Sequence, residues 1–188
     1  MKEYLVLVKH SLPEIQEELP AREWRLSEEG RIRARRLAER LNEYQPAVVV
    51  SSVEPKARET AEIIADRLKA EFHIAEGLHE HDRHTTPYLS KAEFEHSIQE
   101  FFANPESLVF GSETAEAAHT RFAQAVNAVL ESHQDETVVI VAHGTVISLL
   151  VSRLTGLSGL SLWKQLGLPS FLVIDRRSNQ LLTKENIA

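Results

Sequence analysis

Apolar positions along this chain fall into two kinds of run, and each kind predicts its own element. Short continuous runs at 4–9 (YLVLVK), 47–52 (AVVVSS) and 137–142 (TVVIVA) are the mark of strands buried on both faces, where no polar alternation is needed. Between them the apolar residues recur every three or four positions. In LSEEGRIRARRLAERLN, residues 26–42, Ala34, Leu37, Ala38 and Leu41 share one helical face, and Ser27 stands where an N-cap hydroxyl belongs. In EPKARETAEIIADRLKA, residues 54–70, the stripe is Ala57, Ala61, Ile64, Ala65 and Leu68, with Pro55 in the first turn. A long helix over roughly 113–132 leads into the third strand, and TVISLLVSRLTG, residues 145–156, predicts a helix closed by Gly156. FLVID at 171–175, the polar turn RRSNQ and LLT predict a terminal hairpin.

Strands alternating with helices imply an α/β fold, a three-layer α/β/α sandwich with a mainly parallel sheet. The segment 76–112 breaks the alternation. It holds a capping box, Ser90-Lys91-Ala92-Glu93, and the stripe Phe94, Ile98, Phe101 and Phe102, so it is expected to form a helical lid over one end of the sheet. No repeat, low-complexity tract or Pro/Gly/Ser-rich linker divides the 188 residues. The expectation is one domain over 1–188 with the lid inserted at about 76–112.

Composition removes several classes of function. Without cysteine there are no disulfides or thiolate metal sites, in keeping with a reducing compartment. Residues 1–9 are too short an apolar run for a secretory leader, and no stretch approaches the ~20 apolar residues of a membrane span. The protein is therefore expected to be cytoplasmic, with no membrane partner. Twenty-eight acidic residues against 21 Lys and Arg leave a net charge of −7, which opposes nucleic-acid binding but permits a local basic pocket. The apolar terminal hairpin and Trp163 offer a surface for homo-oligomerisation.

Three predicted strands stop at ionisable or hydroxyl residues: Lys9-His10, Ser52 followed by Lys56, and His143-Gly144. Ligands of open α/β sheets bind at the carboxyl ends of the strands, so these groups are candidates for a single pocket. Lys56 falls in the first turn of its helix, where free N–H groups already favour an anion. Two lysines, two histidines and a helix N-terminus together describe a phosphate site.

The same segments, in order along nearly the whole chain, resemble the histidine phosphatase superfamily, which includes the cofactor-dependent phosphoglycerate mutases. LVLVKHSLPEIQ stands where the family has Arg-His-Gly followed by a Trp-Asn pair, and LSEEGRIRARRLAERL where it has a Leu-Thr/Ser-x-x-Gly helix. SSVEPKARETAEIIA is similar to its Ser-Ser-x-x-x-Arg-Ala-x-x-Thr-Ala segment, GLHEHD to its Leu-x-Glu, GSET to its Gly-Glu-Ser and VIVAHGTVISLL to its second His-Gly motif. The resemblance implies a phosphoglycerate mutase-like fold and hydrolysis of a small phosphate monoester. His10 would be the nucleophile forming a phosphohistidine, Glu80 the general acid and then base, and His143 a donor to the phosphoryl oxygens. Lys9, Lys56 and Gln16 would surround the phosphate, and no metal or organic cofactor would be needed. The short chain resembles the phosphatases more than the longer mutases.

The chain departs from the family where the anion binds. Lysines replace both family arginines, Ser11 replaces the glycine after the nucleophile, and Ile15-Gln16 replaces Trp-Asn. A lysine keeps the charge but trades a rigid two-pronged fork for a mobile point charge. A guanidinium recruited from Arg58, Arg22, Arg25 or Arg83 is the expected compensation, and an unusual substrate is the other. Two further readings stand beside the phosphatase. The departures suit a catalytically impaired phospho-ligand-binding module, and HEHDRHTT offers His79, His81 and His84 to a metal-dependent hydrolase. His79, His81, Arg83, His84, Thr85 and Tyr88 are candidates to touch the rest of a substrate, while His73, His96, His119 and His133 are expected at the surface.

Overall fold

A computed structural model describes residues 3–87 and 89–188. Its elements are β1 (Tyr4–Lys9), α1 (Glu28–Leu41), β2 (Val48–Ser51), α2 (Pro55–Leu68), β3 (Glu71–Ile74), α3 (Lys91–Ala103), α4 (Ala115–Ser132), β4 (Val138–Ala142), α5 (Gly144–Thr155), α6 (Gly159–Gln165), β5 (Ser170–Asp175) and β6 (Leu181–Asn186). The predicted helix signals hold in detail. Ser27 accepts from the Gly30 N–H, Pro55 opens α2, the Ser90–Glu93 capping box is formed in both directions, and α5 ends at Gly156 with φ 75°.

The six strands form one sheet in the order β3-β2-β4-β1-β5-β6. β3, β2, β4 and β1 run parallel, and β5 and β6 add antiparallel strands on the β1 side. The continuous apolar runs are explained by burial on both faces. Leu5, Leu7, Val48, Val50, Val138 and Ile140 face the layer of α4 and α5, while Val6, Val8, Val49, Val139 and Val141 face α1 and α2. The helices of 28–68 thus cover one face and those of 91–165 the other, which is the expected α/β/α arrangement.

Two elements were not anticipated. β3 is an edge strand, EFHI, with exposed Glu71, His73 and Ile74, and is too short and too polar to announce itself by pattern. α6 is a seven-residue helix capped by Ser158. Trp163, considered above as an interface residue, lies on α6 and packs edge-on against Phe94 at 5.9 Å between ring centroids. Among the described residues no helix is long and apolar enough to cross a membrane.

Candidate active site

The three strand ends singled out in the sequence lie side by side, because β2, β4 and β1 are neighbours in the sheet. Backbone pairing carries each beyond its last strand residue: the His10 N–H donates to Ala142 O at 3.0 Å and the Ser52 N–H to Val141 O at 3.0 Å. β1 is followed by a helix on one face of the sheet and β4 by a helix on the other. The crevice between their carboxyl ends is therefore the topological switch point, where such sheets bind ligands. His10 and His143 flank it, with ring centroids 5.2 Å apart and edge-to-face planes.

His10 is held in one tautomer. Its Nδ1 lies 2.8 Å from Ser11 O, a carbonyl that can only accept, so Nδ1 carries the proton and the lone pair is left on Nε2. Burial depresses the His10 pKa well below 6.5, and Lys56, His143 and Lys9 add to that through their charges. The ring is thus a neutral imidazole at neutral pH. The backbone behind it is fixed as well: the Ser11 N–H donates to Thr60 Oγ1 at 3.0 Å, and Ser11 Oγ to Gly30 O at 2.7 Å. A serine in place of the family's glycine is accommodated by that second bond.

His143 is fully buried, and its pKa is likewise pushed well down, first by burial and next by the charge of Lys56. Its Nε2 lies 2.8 Å from Ser52 Oγ and 3.5 Å from Glu54 Oε1. Ser52 Oγ also accepts the Glu54 N–H at 3.2 Å, which ties the β2 end to the start of α2.

Both lysines reach this crevice, and both are engaged. Lys9 Nζ donates to Leu166 O at 2.8 Å, its chain passing so close to Gly144 that a Cβ there would stand 3.1 Å from Lys9 Cε. Lys56 is buried; its Nζ donates to Ala21 O at 2.7 Å and to Glu54 Oε2 at 2.5 Å. Burial lowers the Lys9 pKa, with the nearby Glu80 charge acting in the opposite direction.

Glu80 sits at the N-terminus of α5. Its carboxylate accepts from the N–H groups of Thr145 at 3.2 Å and Val146 at 3.3 Å, and from the His81 N–H at 2.9 Å. Burial acts against the charge, but Arg83, His143 and the His81 N–H together hold the carboxyl below its ordinary range. The loop that carries Glu80 is clamped from α4. The Arg121 guanidinium donates to the carbonyls of Gly77 at 2.8 Å, His79 at 2.9 Å and Glu80 at 3.2 Å, and pairs with Glu113, whose Oε1 accepts the Asp82 N–H at 3.0 Å. Gly111 completes the clamp at φ 78°, since a Cβ there would stand 2.4 Å from Asp82 O.

The structure gathers His10, His143, Glu80, Lys9 and Lys56, and disperses several other candidates. Arg58 is exposed on the outer face of α2, paired with Glu62 at 2.8 Å, so it does not join the phosphate site as expected. Arg22 lies beside Glu23 and Arg25 beside Glu59. Arg83 lies over Phe94, its guanidinium carbon 4.7 Å from the ring centre, and its charge lowers the pKa values of Glu80, His143 and His81. Gln16 is half-buried on the loop after β1, its carbonyl accepting from Trp24 Nε1 at 2.9 Å.

The HEHDRHTT cluster is split by packing. His81 is buried in an aromatic box, 4.3 Å from the Phe101 ring centre and 4.8 Å from that of Phe110, with Nε2 on Glu113 O. It is therefore a packing residue and not the substrate contact expected. His84 is exposed and bonded to Asp82, and Tyr88 lies outside the described residues. Among the described residues no group of three or more His, Asp or Glu side chains is placed to hold a metal ion. Sequence reading had Ser52 among the converging strand ends but missed Glu54, Thr60, Glu113 and Arg121 as parts of the site. Thr60 and Glu113 carried a signal, within SSVEPKARETA and GSET.

The family model for the histidine phosphatase superfamily (branch 1) matches residues 5–184. No curated protein matches the chain. Among solved structures, a mycobacterial glucosyl-3-phosphoglycerate phosphatase complexed with VO3 is 23% identical, with a TM-score of 0.74 over 99% of this chain and 100% of that one. A phosphoserine phosphatase from Entamoeba histolytica in complex with 3-phosphoglyceric acid is 21% identical, with a TM-score of 0.79 over 98% and 97% of the two chains. YhfR from Bacillus stearothermophilus is 22% identical, with a TM-score of 0.78 over 99% and 98%.

Proposed function

The chain belongs to the histidine phosphatase superfamily, and from that premise we propose that it hydrolyses a small phosphate monoester through a phosphohistidine on His10. The observation that carries this reading is the tautomer of His10: Nδ1–H is spent on Ser11 O, and the Nε2 lone pair stands at the switch point opposite His143. In the first step Nε2 attacks phosphorus, the bond to the ester oxygen breaks, and Glu80, having taken up a proton with the incoming dianion, gives it to the leaving oxygen. In the second step Glu80, again a carboxylate, takes a proton from water as the water oxygen attacks phosphorus and the N–P bond breaks. Lys9, Lys56 and His143 offset the charge that builds on the phosphoryl oxygens. The nucleophile, the proton carrier and the charges that offset the phosphoryl oxygens are all side chains, and the protons come from solvent through Glu80, so the sequence calls for no metal or organic cofactor.

The substrate side of the reading rests on Arg83. Among the described residues no carboxylate pairs with its guanidinium, which lies over Phe94 and whose charge is felt at Glu80. It suits a leaving group that carries its own anion, in line with the phosphoserine and 3-phosphoglyceric acid named for one structural neighbour. The test is phosphate release from an aryl phosphate in the presence of chelator, for the protein and its His10→Ala variant. Turnover that disappears with His10 supports the reading. Absence of turnover in folded parent protein, with vanadate still bound, would favour the binding module instead, a reading to which the pinned Lys9 and Lys56 ammonium groups lend some weight.

A further inference from the structure

Glu54 immediately precedes Pro55 at the N-cap of α2, yet its side chain makes no cap hydrogen bond and turns inward until the residue is 8% exposed. There its carboxylate meets three groups of the crevice at once. Oε2 lies 2.5 Å from Lys56 Nζ, while Oε1 accepts the Glu80 N–H at 2.9 Å and stands 3.5 Å from His143 Nε2. Lys56 and His143 are the groups assigned above to the phosphoryl oxygens. A phosphoryl dianion and the Glu54 carboxylate cannot both be bound to them at contact distance without strong repulsion.

We propose that Glu54 is a specificity-determining residue: an internal anion that occupies the phosphoryl cradle of the free protein and is displaced from Lys56 and His143 by the incoming phosphoryl group. The inference rests on the phosphate-site reading and adds a constraint to it. Lys56 has three N–H donors, of which Ala21 O and Glu54 Oε2 already take two. A phosphoryl group on the third would stand against the Glu54 carboxylate, so holding it there means breaking that buried ion pair, a cost that falls on free phosphate and substrate alike. A substrate offsets it with contacts to its remaining part, whereas inorganic phosphate has none to offer. The product is thus bound weakly and leaves readily, and small unadorned phosphates are poor ligands.

The experiment is isothermal titration of the parent and the Glu54→Gln variant with inorganic phosphate and with orthovanadate, after thermal melts have shown both to be folded. Glutamine keeps the shape and the acceptor for the Glu80 N–H but carries no charge, so phosphate affinity is expected to rise at least tenfold. Should Glu54→Gln fail to fold, Glu54→Met fills the same volume without charge and carries the same expectation. Affinity that is unchanged or weaker in the folded variant overturns the proposal and leaves Glu54 as a support for Lys56. If neither parent nor variant binds either anion, the phosphate-site reading falls and this proposal with it.

Discussion

Gly30 lies in the first turn of α1, and its replacement by alanine tests how the nucleophile is held. A Cβ at Gly30 would stand 2.1 Å from Leu12 O and 3.0 Å from the Leu12 carbonyl carbon, on the loop that leaves His10. Carbon and oxygen in contact settle at about 3.3 Å, so the Leu12 backbone must retreat by roughly 1 Å. That retreat pulls Leu12 O from the Ser27 N–H and Ser27 Oγ, both at 3.1 Å, and strains the 2.7 Å bond from Ser11 Oγ to Gly30 O. Overpacking costs roughly 1–3 kcal/mol and the weakened bonds about 1 kcal/mol each, against about 1 kcal/mol gained from alanine's better helix propensity. The net is a loss of about 4 kcal/mol, which for a chain of this size lowers Tm by roughly 8–16 °C. Because Leu12 is two residues from His10, a displacement of this size is expected to cut kcat/KM by about 100-fold. Thermal unfolding and aryl phosphate turnover measure the two effects separately. A Gly30→Ala protein as stable as its parent would show the helix gain unopposed, and the contact argument would be wrong.

Two further predictions follow from the buried histidines and from the clamp on the Glu80 loop. His10 and His143 have folded pKa values well below that of an unfolded-chain histidine, so the unfolded state takes up more protons as pH falls below about 6.5. Each should then remove stability at about 1.4 kcal/mol per pH unit until its folded pKa is reached, and stability should be regained as pH rises back to 6.5. Melts from pH 7.5 to 5 on the parent and on His143→Gln separate this effect from the titration of carboxylates; equal slopes for the two proteins would contradict it. Arg121→Gln removes three carbonyl contacts and leaves Glu113 unpaired, at a cost of about 2 kcal/mol. With Glu80 left loosely placed, kcat should fall by much more than KM rises, and an equal change in both would point to a purely structural role for Arg121.

What the sequence determined by itself was whatever a repeating period or a local cap encodes. The buried strands at 4–9, 47–52 and 137–142, the amphipathic helices between them, the Ser27, Pro55 and Gly156 signals and the capping box at Ser90 all depend on neighbours within a few residues, and all were legible. So were His10, Lys56 and His143 as companions, because a parallel sheet brings its carboxyl ends to one edge whatever the loops do. Contacts between residues distant in sequence carry no such period, and only the tertiary structure decided them. It turned Arg58 outward to Glu62, enclosed His81 among Phe101 and Phe110, and carried Arg121 across from α4 to hold the Glu80 loop. It also folded Glu54 inward to Lys56 from a position where a charged residue ordinarily faces solvent. The side-chain direction at a helix start follows from what packs around it, and a single chain's sequence does not record that packing.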